Sequence, residues 1–379
     1  MPNKIYIGMS GGVDSSVTAA LLKEQGYDVT GVYMKNWTRD IPGFECPWMD
    51  DYQDAKRVAV KLGIDFRVFD FEKEYKHKVV DYMIDEYKAG RTPNPDIMCN
   101  QEIKFKLFLD TSLENGADLI ATGHYARVTL APSVEPKSLG RSTGQAPVAL
   151  AYPDDLGSTD TIKAQLHTAE NKAKDQTYFL YRVTEDALKK TLFPIGEFAS
   201  KDEVRALAKK FALPTAEKKD SQGICFVGKV GIKEFLSQYV KTEPGPIINQ
   251  TGKEIGEHEG AIFYTIGQRH GLNVGGGLPY YVTKKDMKTN TVYVTTDLSD
   301  KNLWSNEINL TDLHWINEPP QKDRKYAVRL RYRGPLVNCK LEDGKLILDE
   351  EQRAISAGQS AVLYDGDRCL GGGVIAQAV

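Results

Sequence analysis

The feature that most constrains this 379-residue chain lies near its start. The apolar run Lys4–Met9 passes straight into Ser10-Gly11-Gly12-Val13-Asp14-Ser15-Ser16, and Asp14–Gln25 then carries Val17, Leu21 and Leu22 at helical spacing. A strand that turns into a helix through glycines leaves backbone N–H groups converging on one spot, and the helix dipole adds positive potential there. That combination cradles phosphate, and Ser10, Ser15 and Ser16 can add hydroxyl donors. The loop is neither G-x-x-x-x-G-K-[ST] nor G-x-G-x-x-G, and it lacks the lysine that the first of these sets on terminal phosphates. The alternation continues with a strand at Val29–Met34, a helix at Asp51–Leu62, a strand at Phe66–Phe71, helices at Glu74–Tyr87 and Gln101–Glu114, and a strand at Asp118–Thr122. Short connections between alternating elements predict an α/β fold: a Rossmann-like parallel sheet covered by helices, with ligands at the C-terminal strand ends.

Beyond Leu130 the pattern fades. Prolines and glycines from Pro132 to Gly157 punctuate an exposed excursion or long hairpin, with loop-like residues over about 131–161. Helical spacing returns at Thr184–Thr191 and Lys201–Phe211. From about Val230, glycine turns separate strand-like runs such as Ala261–Ile266 and Tyr280–Thr283. After Asn290 the chain reads as strand at Val292–Thr295, Tyr326–Tyr332, Lys345–Leu348, Ser360–Tyr364 and Gly373–Ala376. Such spacing predicts a small β-barrel or sandwich. The expected domains are 1–228, 229–290 and 291–379.

Composition narrows the functional classes. With 41% hydrophobic and 27% charged residues the chain is globular. A net charge of −3 denies it a dominant basic field, so any nucleic acid must be met by a local basic face. Candidates are Lys218-Lys219 and the alternating Arg329, Arg331 and Arg333, which would share one strand face beside Tyr332. No apolar run is long enough for a membrane span and no targeting pattern is evident, so cytoplasm is the expected address. The cysteines are Cys46, Cys99, Cys225, Cys339 and Cys369, an odd, sparse set without C-x-x-C spacing. This argues against a disulfide framework or a zinc ribbon. Cys46 reads as a loop thiol, and Cys339 and Cys369 as packing residues.

Cys99 lies at the mouth of a predicted helix, with Asn100 as its expected N-cap. A thiol at a helix N-terminus is biased toward thiolate. Pro93 and Pro95 stiffen the approach, holding Asp96 and Cys99 in a defined loop. Cys225 follows Gly223 in a turn between Ile224 and Phe226. Spacing alone leaves two readings open, a reactive pair or two small buried hydrophobes.

The motifs themselves carry a resemblance. SGGVDSS resembles the signature of PP-loop ATP pyrophosphatases, which activate a carbonyl oxygen by adenylation and release pyrophosphate. Arg91–Asn100 (RTPNPDIMCN) and Lys218–Gly228 (KKDSQGICFVG) resemble the tRNA-specific 2-thiouridylase family. The likeness continues through GHYAR (Gly123–Arg127), KDQTYFL (Lys174–Leu180), YTIGQRHGL (Tyr264–Leu272), RLRYRG (Arg329–Gly334) and AISAGQSAVLY (Ala354–Tyr364).

The resemblance implies ATP-dependent 2-thiolation of the wobble uridine, position 34, of tRNA, with Mg²⁺ accompanying ATP and Asp14 as a partner for that ion. It implies Cys99 as nucleophile, Cys225 as the persulfide site, a transient Cys99–Cys225 disulfide, and Asp96 as an aid to proton transfer. ATP contacts are expected at Gly8, Met9, Ser10, Gly11, Gly12, Val13, Asp14, Ser15, Met34 and Gly123. The target base would meet Asn94, Pro95 and Asp96. The rest of the tRNA would meet His124, Lys174, Asp175, Gln176, Arg331, Tyr332 and Gln359. Expected partners are tRNAs for Lys, Glu and Gln and a sulfur donor, either a sulfur-relay protein or a cysteine desulfurase; a monomer without membrane association is expected. A PP-loop ligase using an amine nucleophile would need neither Cys99 nor Cys225. A non-catalytic tRNA-binding or sulfur-carrier protein would not need the intact glycine loop.

Overall fold

The computed structural model describes residues 3–40, 46–132, 162–219, 231–275 and 277–378. A five-stranded parallel sheet forms the first domain, in the order β3-β2-β1-β4-β7. Its strands are β1 (Lys4–Gly8), β2 (Asp28–Lys35), β3 (Asp65–Asp70), β4 (Leu119–Thr122) and β7 (Thr191–Leu192). Strands β1 and β4 are apolar and buried almost throughout, as central strands covered on both faces must be. At the edge, β3 has only exposed and half-buried residues.

Helices α1 (Val13–Glu24) and α2 (Trp48–Leu62) connect these strands. Two longer helical runs contain π-helical stretches. One joins α3 (Glu72–Tyr75) to α4 (Tyr82–Lys88) through Lys76–Asp81. The other joins α5 (Pro95–Met98) to α6 (Phe108–Glu114) through Cys99–Leu107. The second run corrects the expected cap. Its first turn starts at Pro95, whose fixed φ suits that position, and extended Asn94 precedes it. Asn100 therefore lies inside the helix, its Nδ2 donating to the Phe179 carbonyl at 3.0 Å.

The faded region contains a hairpin, β5 (Ala126–Pro132) with β6 (Ile162–Thr168), and residues 133–161 between its arms lie outside the described residues. Short helices follow: α7 (Thr177–Leu180), α8 (Glu185–Lys189), α9 (Lys201–Lys210) and α10 (Ile232–Leu236). Thr184 and Ser200 cap α8 and α9 by accepting the backbone N–H three residues on.

A four-stranded sheet, ordered β10-β11-β8-β9, forms the second domain from β8 (Gly245–Ile248), β9 (Glu254–His258), β10 (Tyr281–Asp286) and β11 (Thr291–Thr295). The run Ala261–Ile266, expected as strand, instead opens as a 3₁₀ turn at Ala261–Phe263. It follows Gly260 at φ +150°, where a Cβ would lie 2.8 Å from the Thr242 side chain.

Six strands make the C-terminal barrel, β12 (Trp304–Trp315), β13 (Tyr326–Arg329), β14 (Val337–Glu342), β15 (Lys345–Arg353), β16 (Ser360–Asp365) and β17 (Arg368–Ala378), closed by β12 against β17. Ile308, Val328, Cys339, Leu346, Leu363 and Ile375 fill its interior. The hairpin of the first domain extends this sheet, since β6 pairs with β17. Strand β13 ends at Arg329 and the chain turns, with Gly334 N–H donating to Arg331 C=O and Arg333 at φ +59°. Arg329, Arg331 and Arg333 therefore do not share a strand face as expected. Among the described residues no helix is long and apolar enough to cross a membrane.

Candidate active site

The glycine loop is built by its own hydroxyls. Ser15 Oγ accepts the Ser10 N–H at 3.2 Å, and Ser15 and Ser16 hydroxyls donate to the Gly12 carbonyl at 3.2 and 2.7 Å. Gly11 has φ +72°, and a Cβ there would lie 2.3 Å from the Asp51 carbonyl oxygen, so only glycine closes this turn. Met34, at the end of β2, packs against Gly8. Gly123, just past β4, presses on the backbone of Asp14 and Ser15, where a Cβ would lie 2.7–2.8 Å away. Gly8, Met9, Ser10, Gly11, Gly12, Val13, Asp14, Ser15, Met34 and Gly123 thus gather at the C-terminal ends of β1, β2 and β4.

Asp14 is engaged. Tyr125 OH donates to its Oδ1 at 2.9 Å, and Lys201 Nζ meets both carboxylate oxygens at 2.7 Å. No group of three His, Cys, Asp or Glu residues that could hold a metal occurs among the described residues. Those residues therefore form no dedicated cage for a divalent cation, and no step below runs through one.

The Asn94–Cys99 segment opens the helical run that carries Lys104 toward His124, just past β4. Thr92, just before it, is held by the other two domains. Its N–H donates to the Ala357 carbonyl at 2.8 Å, its carbonyl accepts Gln359 Nε2 at 2.8 Å, and its hydroxyl meets Thr265 Oγ1 at 3.2 Å. Pro93 and Pro95 are buried. Burial raises the Asp96 carboxyl above the usual range, against the pull of nearby Lys104. Cys99 is 2% exposed, in the same core cluster as Ile103, Phe105 and Phe108. Lys104 Nζ lies 3.4 Å from His124 Nε2, and His124 Nδ1 bonds the Thr122 hydroxyl at 2.8 Å. Burial, with the Lys104 charge, pushes His124 well below its ordinary value, so its ring stays neutral. Through Lys104, His124 and Gly123, Asp96 connects to the glycine loop.

The expected tRNA contacts fall into two groups. Arg331 is exposed, Lys174 and Tyr332 are half-buried, and the Tyr332 ring packs on Phe179 at 4.3 Å between centroids. The others direct polar groups inward. Buried Asp175 accepts from Ala169 N–H, Thr177 and Arg329 Nη1, the last at 3.1 Å. Gln176 Oε1 accepts the Tyr125 N–H at 2.9 Å, Gln359 holds Thr92, and His124 lies beneath the surface. Lys218 pairs with Asp51 and Asp54 at 2.8 and 2.6 Å.

Cys225 lies outside the described residues, so its separation from Cys99 does too. Cys46 is half-buried, and Cys339 and Cys369 are buried, with burial pushing the Cys339 thiol up to about 12. Sequence reasoning missed Lys201, Tyr125 and Thr92. For Lys201 the available signal was the capping box Ser200–Glu203, which fixes where α9 begins.

A parallel α/β domain with a glycine-loop site, followed by a small β-domain and a closed barrel, defines a three-domain protein of the HUP class. Three family descriptions match in chain order: "tRNA methyl transferase HUP domain" over 3–229, "tRNA methyl transferase PRC-barrel domain" over 233–296 and "Aminomethyltransferase beta-barrel domain" over 305–375. The chain is 44% identical over 381 residues to the tRNA-specific 2-thiouridylase MnmA of Bacillus subtilis, covering 98% of this chain and 94% of that protein. It is 44% identical to the Lactococcus lactis enzyme of the same name, covering 98% and 94%, and 45% to that of Cupriavidus metallidurans, covering 98% and 99%. The chain belongs to the tRNA-specific 2-thiouridylase (MnmA) family.

Proposed function

We propose that this protein uses ATP to replace the C2 oxygen of the wobble uridine, position 34, of tRNA with sulfur. The observation that carries the reading is the link from the glycine loop to the Asp96–Cys99 helix, through Gly123, His124 and Lys104, at the C-terminal ends of the central strands β1 and β4. A phosphate-binding loop linked to a cysteine-bearing helix suits adenylation followed by sulfur transfer.

The chemistry proceeds as follows. Uridine C2 is a poor electrophile with a poor leaving group. Attack of its oxygen on the α-phosphorus of ATP expels pyrophosphate and leaves an O-adenylate. The terminal sulfur of a Cys225 persulfide attacks C2, and the C–O bond breaks to release AMP. The Cys99 thiolate attacks Sγ of Cys225 and cleaves the S–S bond, leaving a Cys99–Cys225 disulfide. An external dithiol returns the two electrons, and a persulfide-bearing donor protein, a sulfur-relay protein or a cysteine desulfurase, recharges Cys225. Asp96, with its raised pKa, is suited to hold the uridine N3 proton. The target base must leave its stack to reach Asn94, Pro95 and Asp96. Lys174, Arg331 and Tyr332 supply the outward-facing tRNA contacts, with Asp175, Gln176, His124 and Gln359 supporting them from within. The substrates are tRNAs for Lys, Glu and Gln, met by a cytoplasmic monomer.

The test incubates the protein with unmodified tRNA, Mg-ATP and a persulfide donor, then digests the RNA for mass spectrometry. ATP-dependent 2-thiouridine, lost in Cys99→Ser and Cys225→Ser, is the expected result. The family descriptions carry the words methyl transferase, and a +14 rather than a +16 mass change in a parallel reaction supplied with a methyl donor would identify that chemistry instead. ATP-dependent pyrophosphate release without thiouridine, with a competent donor present, overturns the sulfur step.

A further inference from the structure

The glycine loop lacks the lysine that other phosphate loops carry in sequence, and the fold supplies one from elsewhere. Lys201 opens α9, far along the chain, where Ser200 accepts the Glu203 N–H and Ser200 Oγ also meets the Glu203 carboxylate at 3.0 Å. This cap fixes the start of the helix. Helices α1 and α9 pack together, and Lys201 Nζ reaches the first turn of α1, 2.7 Å from each oxygen of Asp14. Its side chain is 14% exposed, and its ammonium lies 5.8 Å from the centroid of the Tyr125 ring. Tyr125 in turn holds Asp14. Three side chains from α1, the segment after β4 and α9 thus lock an ammonium beside the loop.

Electrostatics make this placement meaningful. The first turn of a helix attracts anions, and Asp14 occupies that place in the loop itself. An unpaired carboxylate there would repel an incoming phosphate. With Lys201 against it, the pair is neutral, and a flexible lysine stem lets the ammonium exchange a carboxylate oxygen for a phosphate oxygen.

We propose that Lys201 is a triphosphate-binding residue of this enzyme, supplied in space by α9 in place of the lysine missing from the loop. The inference rests on the ATP reading of the glycine loop given above. It predicts that Lys201 discriminates ATP from AMP, because the polyphosphate carries the charge that the ammonium meets.

Isothermal titration of the full-length protein with Mg-ATP and with AMP tests it. Lys201→Met is expected to weaken ATP at least tenfold, the scale of one charged hydrogen bond, while AMP affinity changes less than threefold. Lys201→Arg, which keeps the charge, is expected to retain most of the ATP affinity. The double variant Asp14→Asn/Lys201→Met separates direct contact from mere neutralisation of Asp14. Persistent loss of ATP affinity in the double variant supports contact with phosphate; recovery to the wild-type ATP/AMP ratio overturns it, as does a single variant that loses both ligands equally. If the wild-type protein binds no ATP, the reading of the loop itself fails, and this inference falls with it.

Discussion

Gly358 offers the sharpest test of how the barrel acts on the chemistry. It has φ +90°, and a Cβ there would lie 2.8 Å from the Thr92 nitrogen and 2.9 Å from the Thr92 carbonyl carbon and the Arg91 Cβ. Its neighbours Ala357 and Gln359 bond the N–H and carbonyl of Thr92. Gly358→Ala therefore costs about 1–2 kcal/mol for the left-handed backbone and about 1–3 kcal/mol more for overpacking against main chain that cannot swing away. Gly366 separates the two terms, with φ +62° and no atom within 4 Å of a Cβ, so Gly366→Ala carries only the first. Part of the strain at position 358 will be relieved by moving Thr92, which precedes the segment carrying Asp96 and Cys99. A displacement near 1 Å at reacting groups costs on the order of 100-fold in rate. The expected outcome is a 2-thiouridine turnover lowered 30–100-fold, roughly by that relation, in Gly358→Ala at full ATP affinity, with Gly366→Ala close to wild type. Gly358→Ala with wild-type turnover and reduced thermal stability would refute the argument, since the clamp would then hold domains together without setting the site.

Other outcomes follow from burial and charge. Burial lifts the Asp96 pKa, so its ionised form weakens the fold and stability declines as pH rises from the unfolded value of 3.8 through the raised one. Asp96→Asn should be more stable than wild type at pH 7 in denaturant unfolding, while its thiolation rate falls about 10²-fold or more if Asp96 handles the proton. His124 is held neutral, so the unfolded chain binds its proton more readily, and its contribution is complete above about pH 6.5 and lost as pH falls. His258 and His314 shift the same way, so His124→Gln should remove only part of a slope that reaches about 1.4 kcal/mol per pH unit for each group. Cys99, at 2% exposure, should be alkylated by iodoacetamide far more slowly than a denatured control, and faster once tRNA and ATP are bound; rapid labelling of the unliganded protein would contradict its burial.

The parallel sheet was legible because its signal is local. Apolar runs such as Lys4–Gly8 and Leu119–Thr122 are buried on both faces, and the glycine turn between strand and helix leaves a backbone signature in the residues themselves. The barrel was only half legible. Strands β12 and β14 carry polar residues such as Asn306, Glu307, Asn309, Asn338 and Lys340 on one face, which hides a strand that is apolar only inward. The arginine row failed because β13 ends at Arg329 and the chain turns through Arg331–Gly334, a turn whose sequence mark is the Gly334-Pro335 pair just beyond the arginines.

The site shows the same division. Residues of the glycine loop and Asp96–Cys99 announce themselves by proline, glycine and cysteine, whose backbone or chemical demands are visible in one dimension. Lys201, Thr92 and Tyr125 do not, because a lysine, a threonine and a tyrosine are ordinary surface or core choices until the fold sets them against Asp14 or between domains. Gln359 makes the point in reverse. Its family motif suggests an outward contact, yet its amide is used on the carbonyl of Thr92. A residue of the barrel therefore holds the approach to the Asn94–Cys99 segment of the first domain through a single hydrogen bond, and sequence order gives no hint of that bond because 267 residues separate its two ends.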